Sequence, residues 1–471
     1  MNESIIYLLK GFKAPMSSPI LTRVAPSPTG KLHVGNARRA LENWLFASHA
    51  GGRFMLRMDD TDIERSKEIY ELAIQKDLEW LGLNWDLYVR QSDRMEHYQA
   101  AAQKLKNLGR LYPCYETPEE LEFKRKRLLS RGLPPLYDRS ALSLTDAQKK
   151  AYEKEGRTPH WRFLLNPTKI CWDDLIHGTL CFEGEKLSDP VLIKTDGFPV
   201  YSLASVVDDL EFKVSHVIRG DDHITNTALQ IQLIEALGSN PLSIHFAHLP
   251  LLTDASGGGL SKRLGSLSIE SLREDGFEPM AINSLLARLG SSDPIEPFLS
   301  LDPLVSSFNI EKFSKATAKF DVQELKHLNA KIIHMMPFSQ AEKHLESIGI
   351  SGVSEEFWKT LHGNFSTFSD VTKWLKVLHN DFEPLSFSSE DLDYLKLTLT
   401  FLPKEPWGPE TWKNWTDALK EKTDRKGKML FMPLRLALTG EEHGPEMKEF
   451  LPLLGYDVCL KRLKDAYASD L

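Results

Sequence analysis

The chain is poor in cysteine. Four residues in 471, Cys114, Cys171, Cys181 and Cys459, with no C-x-x-C pair among them, make no disulfide framework. A reducing compartment with free thiols is the expected setting. Long apolar runs are missing too. Nothing approaches the ~20 residues of a membrane span, and Ile5, Ile6, Leu8 and Leu9 follow an acidic start that lacks the basic region of a signal peptide. A cytoplasmic protein without a membrane partner is expected. Nor is there an excess of positive charge. Lys plus Arg number 58 against 66 Asp plus Glu, a formal net charge of −8. This speaks against a uniformly basic nucleic-acid binder, although a total averages over faces of different sign. The apolar fraction of 41% and charged fraction of 26% exclude wholesale disorder and a fibrous repeat.

Several catalytic signatures are absent as well. Ala25–Leu32 lacks the first glycine and the final Ser/Thr of a phosphate-binding Walker loop, and Gly30 and Gly35 do not make G-x-G-x-x-G. There is no G-x-S-x-G elbow and no H-E-x-x-H. Asp59, Asp60 and Asp62 lack the central glycine of a calcium loop.

What is present reads first as strand, loop, helix, strand. Leu21–Ala25 is a short apolar run. Ala37, Ala40, Leu41, Trp44 and Leu45 then mark one face of a helix that Gly51 and Gly52 close, and Arg53–Met58 reads as the next strand. Such a unit is a parallel βαβ, which places a helix N-terminus where ligands of open sheets bind. A second amphipathic helix is expected over 64–82, with Ile69, Leu72, Ala73, Leu78 and Leu81. Residues 113–200 carry a basic run (Lys124–Arg127), Pro134-Pro135 and β-like runs at Trp161–Leu165 and Thr179–Phe182, and read as an insertion. Val206-Val207 and Val214–Ile218 return to parallel-strand character, with a helix at Thr227–Leu237. After Gly257-Gly258-Gly259, and from about residue 265, the periodicity is almost purely helical.

Two segments carry chemistry. His33, Gly35 and Asn36 open the first helix, where free N–H groups and the dipole attract phosphate. Read alone, a histidine that merely caps the helix accounts for the same residues. Ser261-Lys262-Arg263, behind three glycines, suits a loop closing on a triphosphate, with a solvated basic turn as its plain alternative.

Together, and in this order and spacing, the two segments resemble the HIGH and KMSKS motifs of class I aminoacyl-tRNA synthetases. The flanks Thr22–Gly30, Arg57–Asp62, Val206-Val207-Asp208-Asp209 and Val217–Gly220 resemble bacterial glutamyl-tRNA synthetases. The resemblance runs from about residue 20 to the C-terminus. It implies an α/β fold, a Rossmann-like catalytic domain with an α+β insertion, followed by an all-α C-terminal anticodon-binding region. The implied boundaries are an N-terminal extension at 1–16, catalytic halves at 17–112 and 199–255, and an acceptor-stem-binding insertion at 113–198. A stem-contact region at 256–325 and a helical region at 326–471 complete them.

The implied reaction activates L-glutamate with ATP and Mg2+, releases pyrophosphate, and transfers glutamate to the 3'-terminal adenosine of tRNA-Glu, with tRNA-Gln as an alternative acceptor. By resemblance His33, Asn36 and Lys262 are catalytic. His33, Gly35, Asn36, Ser261, Lys262 and Arg263 hold ATP, and Arg23, Ser27, Asp59, Tyr201 and Arg219 hold glutamate. An ion-pair network of Arg219 with Asp221 and Asp222 is the structural alternative. Three departures stand out. Asn36 replaces a histidine, Gly259 replaces the opening lysine of KMSKS, and a C-x-C…C-x-H zinc knuckle is broken. Glu116 follows Cys114 and no cysteine occurs in Tyr137–Ala141, so no zinc is expected. The Lys124–Arg127 run with Arg131, and Lys420, Lys422, Arg425, Lys426 and Lys428 beside Trp407, Trp412 and Trp415, are candidate RNA-facing patches. The tryptophans equally suit a core. A monomer is the family expectation, and a catalytically dead tRNA-binding paralogue is the competing class.

Overall fold

The computed structural model describes residues 19–254, 256–258, 267–379 and 386–468. They fall into two compact units. One reaches through Leu272 and takes in Asn283–Asp321; the other is Arg273–Ile282 with the chain from Val322 onward. The expected extension at 1–16, and Gly259, Ser261, Lys262 and Arg263, lie outside the described residues.

The first unit begins with β1 (Leu21–Val24), α1 (Val34–His49), β2 (Arg53–Met58), α2 (Glu68–Trp80) and β3 (Leu87–Arg90). All four residues of β1 are buried, as expected of a strand covered on both faces. The α1–β2 turn is tight: a Cβ on Gly52 would meet the Ile20 carbonyl oxygen at 2.6 Å, so only glycine fits. Next come α3 (Met95–Asn107), β4 (Leu111–Cys114), α4 (Pro118–Ser130), α5 (Asp146–Lys154) and β5 (His160–Phe163). They are followed by β6 (Lys169–Asp174), β7 (Gly178–Glu183) and β8 (Val191–Ile193). α4 starts on a reciprocal cap, Thr117 with Glu120, and Pro118 in its first turn. The unit continues with α6 (Tyr201–Glu211), β9 (His216–Gly220), α7 (Ile224–Ala236), β10 (His245–Leu249) and β11 (Leu252–Asp254). Much later β12 (Ala318–Phe320) pairs with β11 in parallel, a short strand within the otherwise helical periodicity.

Strands β1, β2 and β3 pair in parallel, with Leu21 opposite Arg53 and Met55 opposite Leu87. A second ladder runs β9, β10, β6, β7. The two meet side by side, since the Ser215 N–H donates to the Leu21 carbonyl at 3.0 Å and the Leu21 N–H to Ser215 Oγ at 2.9 Å. The order across the unit is thus β3-β2-β1-β9-β10-β6-β7. Chain direction across the sheet reverses between β1 and β9, the switch point at which open α/β sheets form a ligand crevice. β4, β5 and β8 form a separate antiparallel sheet.

Three sequence expectations are corrected. Val206 and Val207 lie in α6, not in a strand. With Leu203 and Leu210 they mark a helical face, which a short β-branched run conceals. The second helix spans Glu68–Trp80, and Ile69 and Leu72 are 69% and 57% exposed, because Ile74 and Leu78 carry the buried face. Finally, Cys171 and Cys181 form a disulfide rather than free thiols. The register of the β6–β7 hairpin sets them directly opposite each other, which their spacing alone does not reveal. Cys114 and Cys459 are buried thiols.

The chain from Val322 contributes nine α-helices among the described residues, from Val322–Met335 to Tyr456–Ala468. Its core is aromatic: Trp358, Phe365, Trp415 and Phe450 are nearly or fully buried. Burial is compatible with the indole N–H of Trp358 because it donates to the Met336 carbonyl at 3.0 Å, and that of Trp415 donates to the Thr398 carbonyl at 3.2 Å. No helix among the described residues is long and apolar enough to cross a membrane.

Candidate active site at the strand ends

His33 caps α1. Its Nδ1 accepts the Gly35 N–H at 3.3 Å, which places the ring proton on Nε2, and burial pulls the imidazole below its ordinary pKa, so the ring is neutral. Nε2 is buried and has no hydrogen-bond partner among the described residues. A buried donor without a partner is costly unless a ligand meets it. Asn36 follows one turn in, its amide oxygen accepting from Arg39 Nη1 at 3.3 Å. A Cβ on Gly35 would meet only His33 Nδ1, at 3.7 Å, so nothing in the protein itself demands glycine there.

Leu267 and Ile269, which follow the second chemistry-bearing segment in sequence, lie beside this turn. The Val34 N–H donates to the Leu267 carbonyl at 3.1 Å and the Ile269 N–H to the Leu32 carbonyl at 2.8 Å, around a bridge of His33 with Ser268. Before that segment in sequence, the Gly258 N–H donates to Asp254 Oδ1 at 2.7 Å.

Across the switch point lies a set of buried charges. Arg23 at the end of β1 donates from Nε to Asp209 Oδ1 at 3.1 Å. Arg57 on β2 reaches the same oxygen at 3.0 Å and grips Asp59 at 2.7 and 3.3 Å. Burial alone would raise the Asp209 carboxyl, but Arg23 and Arg57 hold it below its ordinary range. Burial pushes the Asp59 carboxyl up to about 6 against the opposing pull of Arg57. Asp208, beside Asp209 on α6, accepts from Gln91, Arg94 and Tyr98 at 2.8–3.0 Å. Arg57, Asp208 and Asp209 thus tie β2 to α6 beside the switch point, a role not foreseen from sequence. Their signal was there: an acidic pair inside an apolar helix face needs cationic partners.

Arg219, at the end of β9, behaves differently. It is 5% exposed, yet among the described residues no carboxylate pairs with it. Nη1 donates to Tyr201 Oη at 3.2 Å, Nη2 to Thr227 Oγ1 at 2.6 Å and Nε to His248 Nε2 at 3.4 Å. Asp222 instead lies 3.8 Å from Arg39 and 3.7 Å from His223, so the ion-pair network expected as the alternative for Arg219 does not form. The structure therefore brings Tyr201 and Arg219 into contact and ties Arg23 and Asp59 into one network. Ser27 is exposed on the loop after β1, where its carbonyl accepts the Thr29 N–H.

The region of the broken knuckle holds a three-donor cluster that the sequence did not reveal. Cys114, Glu116 and His160 offer ligand atoms within 4.8 Å of one another, because β4 and β5 place His160 opposite Cys114. As a metal cage it fits poorly. Tyr137 Oη donates to Glu116 Oε1 at 2.8 Å, the Lys124 ammonium sits 3.2 Å from the same oxygen, and burial pushes the Cys114 thiol up to about 11. The Glu116 carboxylate of the cluster is thus already paired with a cation. Lys124 pairs with Glu116 and Asp138, and together with Arg125, Arg127, Arg131 and Arg162 it lines a cavity of about 390 Å³. In the helical region Arg425 pairs with Asp391, and Trp415 is core. Trp412 lines a cavity of about 460 Å³ with Lys428 and Arg435.

Comparison with known proteins agrees with this layout. Residues 19–327 match the catalytic domain of class I tRNA synthetases (E and Q), and residues 325–467 match an anticodon-binding domain. The chain belongs to the class I aminoacyl-tRNA synthetases. A glutamate–tRNA ligase of Azospirillum brasilense is 55% identical over 441 residues, covering 93% of this chain and 97% of the relative. Glutamate–tRNA ligase 1 of a Chelativorans species is 50% identical over 454 residues, covering 94% and 99%. The crystal structure of a glutamate tRNA ligase from Elizabethkingia meningosepticum, in complex with its amino acid, superposes with a TM-score of 0.82. It shares 28% identity over 96% of this chain and 100% of that one. Within its class, this chain is a member of the glutamate–tRNA ligase family.

Proposed function

We propose that this chain activates L-glutamate with ATP and transfers it to the 3'-terminal adenosine of tRNA. The observation that carries this reading is Arg219, a buried guanidinium at the switch point without a carboxylate of its own. A small acid is the ligand that such a site lacks, and a bidentate fork suits it. Beside it, the α1 N-terminus and the unpartnered Nε2 of His33 suit phosphate.

In activation, the glutamate α-carboxylate attacks the α-phosphate of ATP and pyrophosphate leaves. No covalent enzyme intermediate is required, so alignment and charge stabilisation do the chemistry. His33 donates from Nε2 to phosphate oxygens and Asn36 donates from its amide. Gly35 leaves room for the adenosine, and Lys262, flanked by Ser261 and Arg263, neutralises the departing pyrophosphate. Arg219 takes the side-chain carboxylate, with Tyr201 and Arg23 shaping the pocket and Ser27 orienting the substrate. Asp59 offers its remaining lone pairs to the substrate ammonium. Mg2+ would be held chiefly by the ATP phosphate oxygens and would supply charge neutralisation there. No structural zinc is assigned, given the ammonium of Lys124 within the Cys114 cluster.

Residues 113–198 are assigned to the acceptor stem, 256–325 to stem contact and 326–471 to the anticodon, with a monomeric enzyme. tRNA-Glu is the assigned acceptor, and tRNA-Gln the alternative. The decisive assay measures charging with glutamate and with glutamine on purified tRNA-Glu and tRNA-Gln separately. Glutamate on tRNA-Glu is the expected product. Absence of glutamate charging on both tRNAs overturns the proposal.

A further inference from the structure

A buried cation needs a counter-charge, and among the described residues Arg219 touches none directly. Its neighbours lead to one. Arg219 Nη2 donates to Thr227 Oγ1 at 2.6 Å, and Thr227 Oγ1 lies 2.9 Å from His248 Nε2. On the far side of the ring, His248 Nδ1 lies 2.5 Å from Asp174 Oδ2. Asp174 and His248 side chains are wholly buried. The other oxygen of Asp174 accepts the backbone N–H groups of Ile176, His177 and His248 at 3.0, 2.9 and 3.3 Å. Burial alone would raise this carboxyl, but these donors and His248 hold it below its ordinary range, so it is ionised. Burial keeps the imidazole of His248 neutral.

The proton positions follow. An ionised Asp174 only accepts, so His248 carries its proton on Nδ1 and presents a lone pair at Nε2. The Thr227 hydroxyl donates to that lone pair in preference to the His223 carbonyl, which is 3.5 Å away. Thr227 oxygen is then free to accept from Arg219. Every donor points the same way, from the arginine toward Asp174.

We propose that Asp174, His248 and Thr227 are positioning residues that set the glutamate affinity of Arg219, an inference that rests on the function proposed above. The relay supplies Arg219 with a counter-charge two groups away, rather than in contact. Of the five N–H donors of a guanidinium, Thr227 and Tyr201 take one from each terminal nitrogen. Nε shares the His248 Nε2 lone pair with the Thr227 hydroxyl at the longer distance of 3.4 Å, and one donor remains on each terminal nitrogen. These two form the fork for a carboxylate. A carboxylate in direct contact with Arg219 would have filled that fork itself. The fork favours two acceptor oxygens, and glutamine offers one acceptor and one donor.

The test is ATP–pyrophosphate exchange by the full-length enzyme, with Thr227→Val, Thr227→Ser and Asp174→Asn. Thr227→Val keeps the shape and removes the hydroxyl. It raises KM for glutamate at least about tenfold, the scale of a lost hydrogen bond to a charged group, and leaves KM for ATP and the melting temperature near wild type. Thr227→Ser restores the hydroxyl and most of the affinity. Asp174→Asn no longer fixes the proton of His248 on Nδ1 and raises KM for glutamate in the same selective manner; it serves as the second probe should Thr227→Val fold poorly. Unchanged KM for glutamate in Thr227→Val and Asp174→Asn, with an active wild type, overturns the relay alone. Loss of glutamate and ATP affinity together, with a lowered melting temperature, assigns these residues to folding and also overturns it. A wild type that does not activate glutamate overturns the proposed function, and the relay with it.

Discussion

Two buried arginines in the same unit are compensated in opposite ways. Arg57 is enclosed by carboxylates, with Asp59 at 2.7 Å, Asp209 at 3.0 Å and Asp208 at 3.7 Å. Arg219 meets a phenol, a hydroxyl and an imidazole. The first arrangement is electrostatically closed and belongs to the fold. The second, with no carboxylate among the described residues, is the arrangement that the proposed glutamate site requires. A buried charge is thus informative about function chiefly when its partner set is incomplete.

Three substitutions sharpen or break that comparison. The largest effect is expected for Arg57→Met, which leaves the buried Asp59 carboxylate without its cation and removes one of the two arginines that hold Asp209. Removing one member of a buried charge set costs about 3–5 kcal/mol, so urea unfolding shifts by that amount and substrate-independent stability falls. A stable Arg57→Met enzyme would show that the carboxylates are not held as described. Arg219→Ala comes next. Glutamate activation falls about 100-fold or more, as when one partner of a buried charge pair is truncated. The melting temperature moves far less than in Arg57→Met. Equal destabilisation by the two changes would erase the distinction between them.

The third substitution, silent at low pH, concerns a buried anion. Glu42 on α1 is fully enclosed, both its oxygens lack a hydrogen-bond partner, and Arg38 approaches only to 3.9 Å. The N–H groups of Arg38 go instead to the carbonyls of Pro250 and Leu289. Burial pushes the Glu42 carboxyl up to about 8. Because the folded pKa lies above the unfolded one, folding takes up a proton, and this stabilising contribution is lost as pH rises from about 4.5 to about 8. A carboxyl can shed its charge by protonation, which arginine cannot. Glu42→Gln therefore melts higher than wild type at about pH 9 and close to it at about pH 5. A difference independent of pH would mean that Glu42 stays ionised.

What was legible in sequence was what is local in the chain. His33, Gly35 and Asn36 occupy one turn at a helix start, so spacing alone brings them together. Tyr201 and Arg219 entered through resemblance, and the structure places them 3.2 Å apart. The relay behind Arg219 was not legible: Asp174, Thr227 and His248 come from β6, α7 and β10, and none belongs to a motif. Pairing of Cys171 with Cys181, and of His160 with Cys114, depends on strand register, which the sequence alone left undetermined. Val206 and Val207 show the converse, a β-branched pair whose helical face emerges only with Leu203 and Leu210.

The hairpin of β6 and β7 lies in the stretch that reads as an insertion, yet β6 pairs with β10 and its last residue, Asp174, touches His248. The stretch is therefore not an exchangeable cassette. Grafting residues 113–198 from a relative also replaces Asp174, the carboxylate held against His248. Chimeras that keep β6 and β7 of the host, and exchange only the portion before them, preserve that contact.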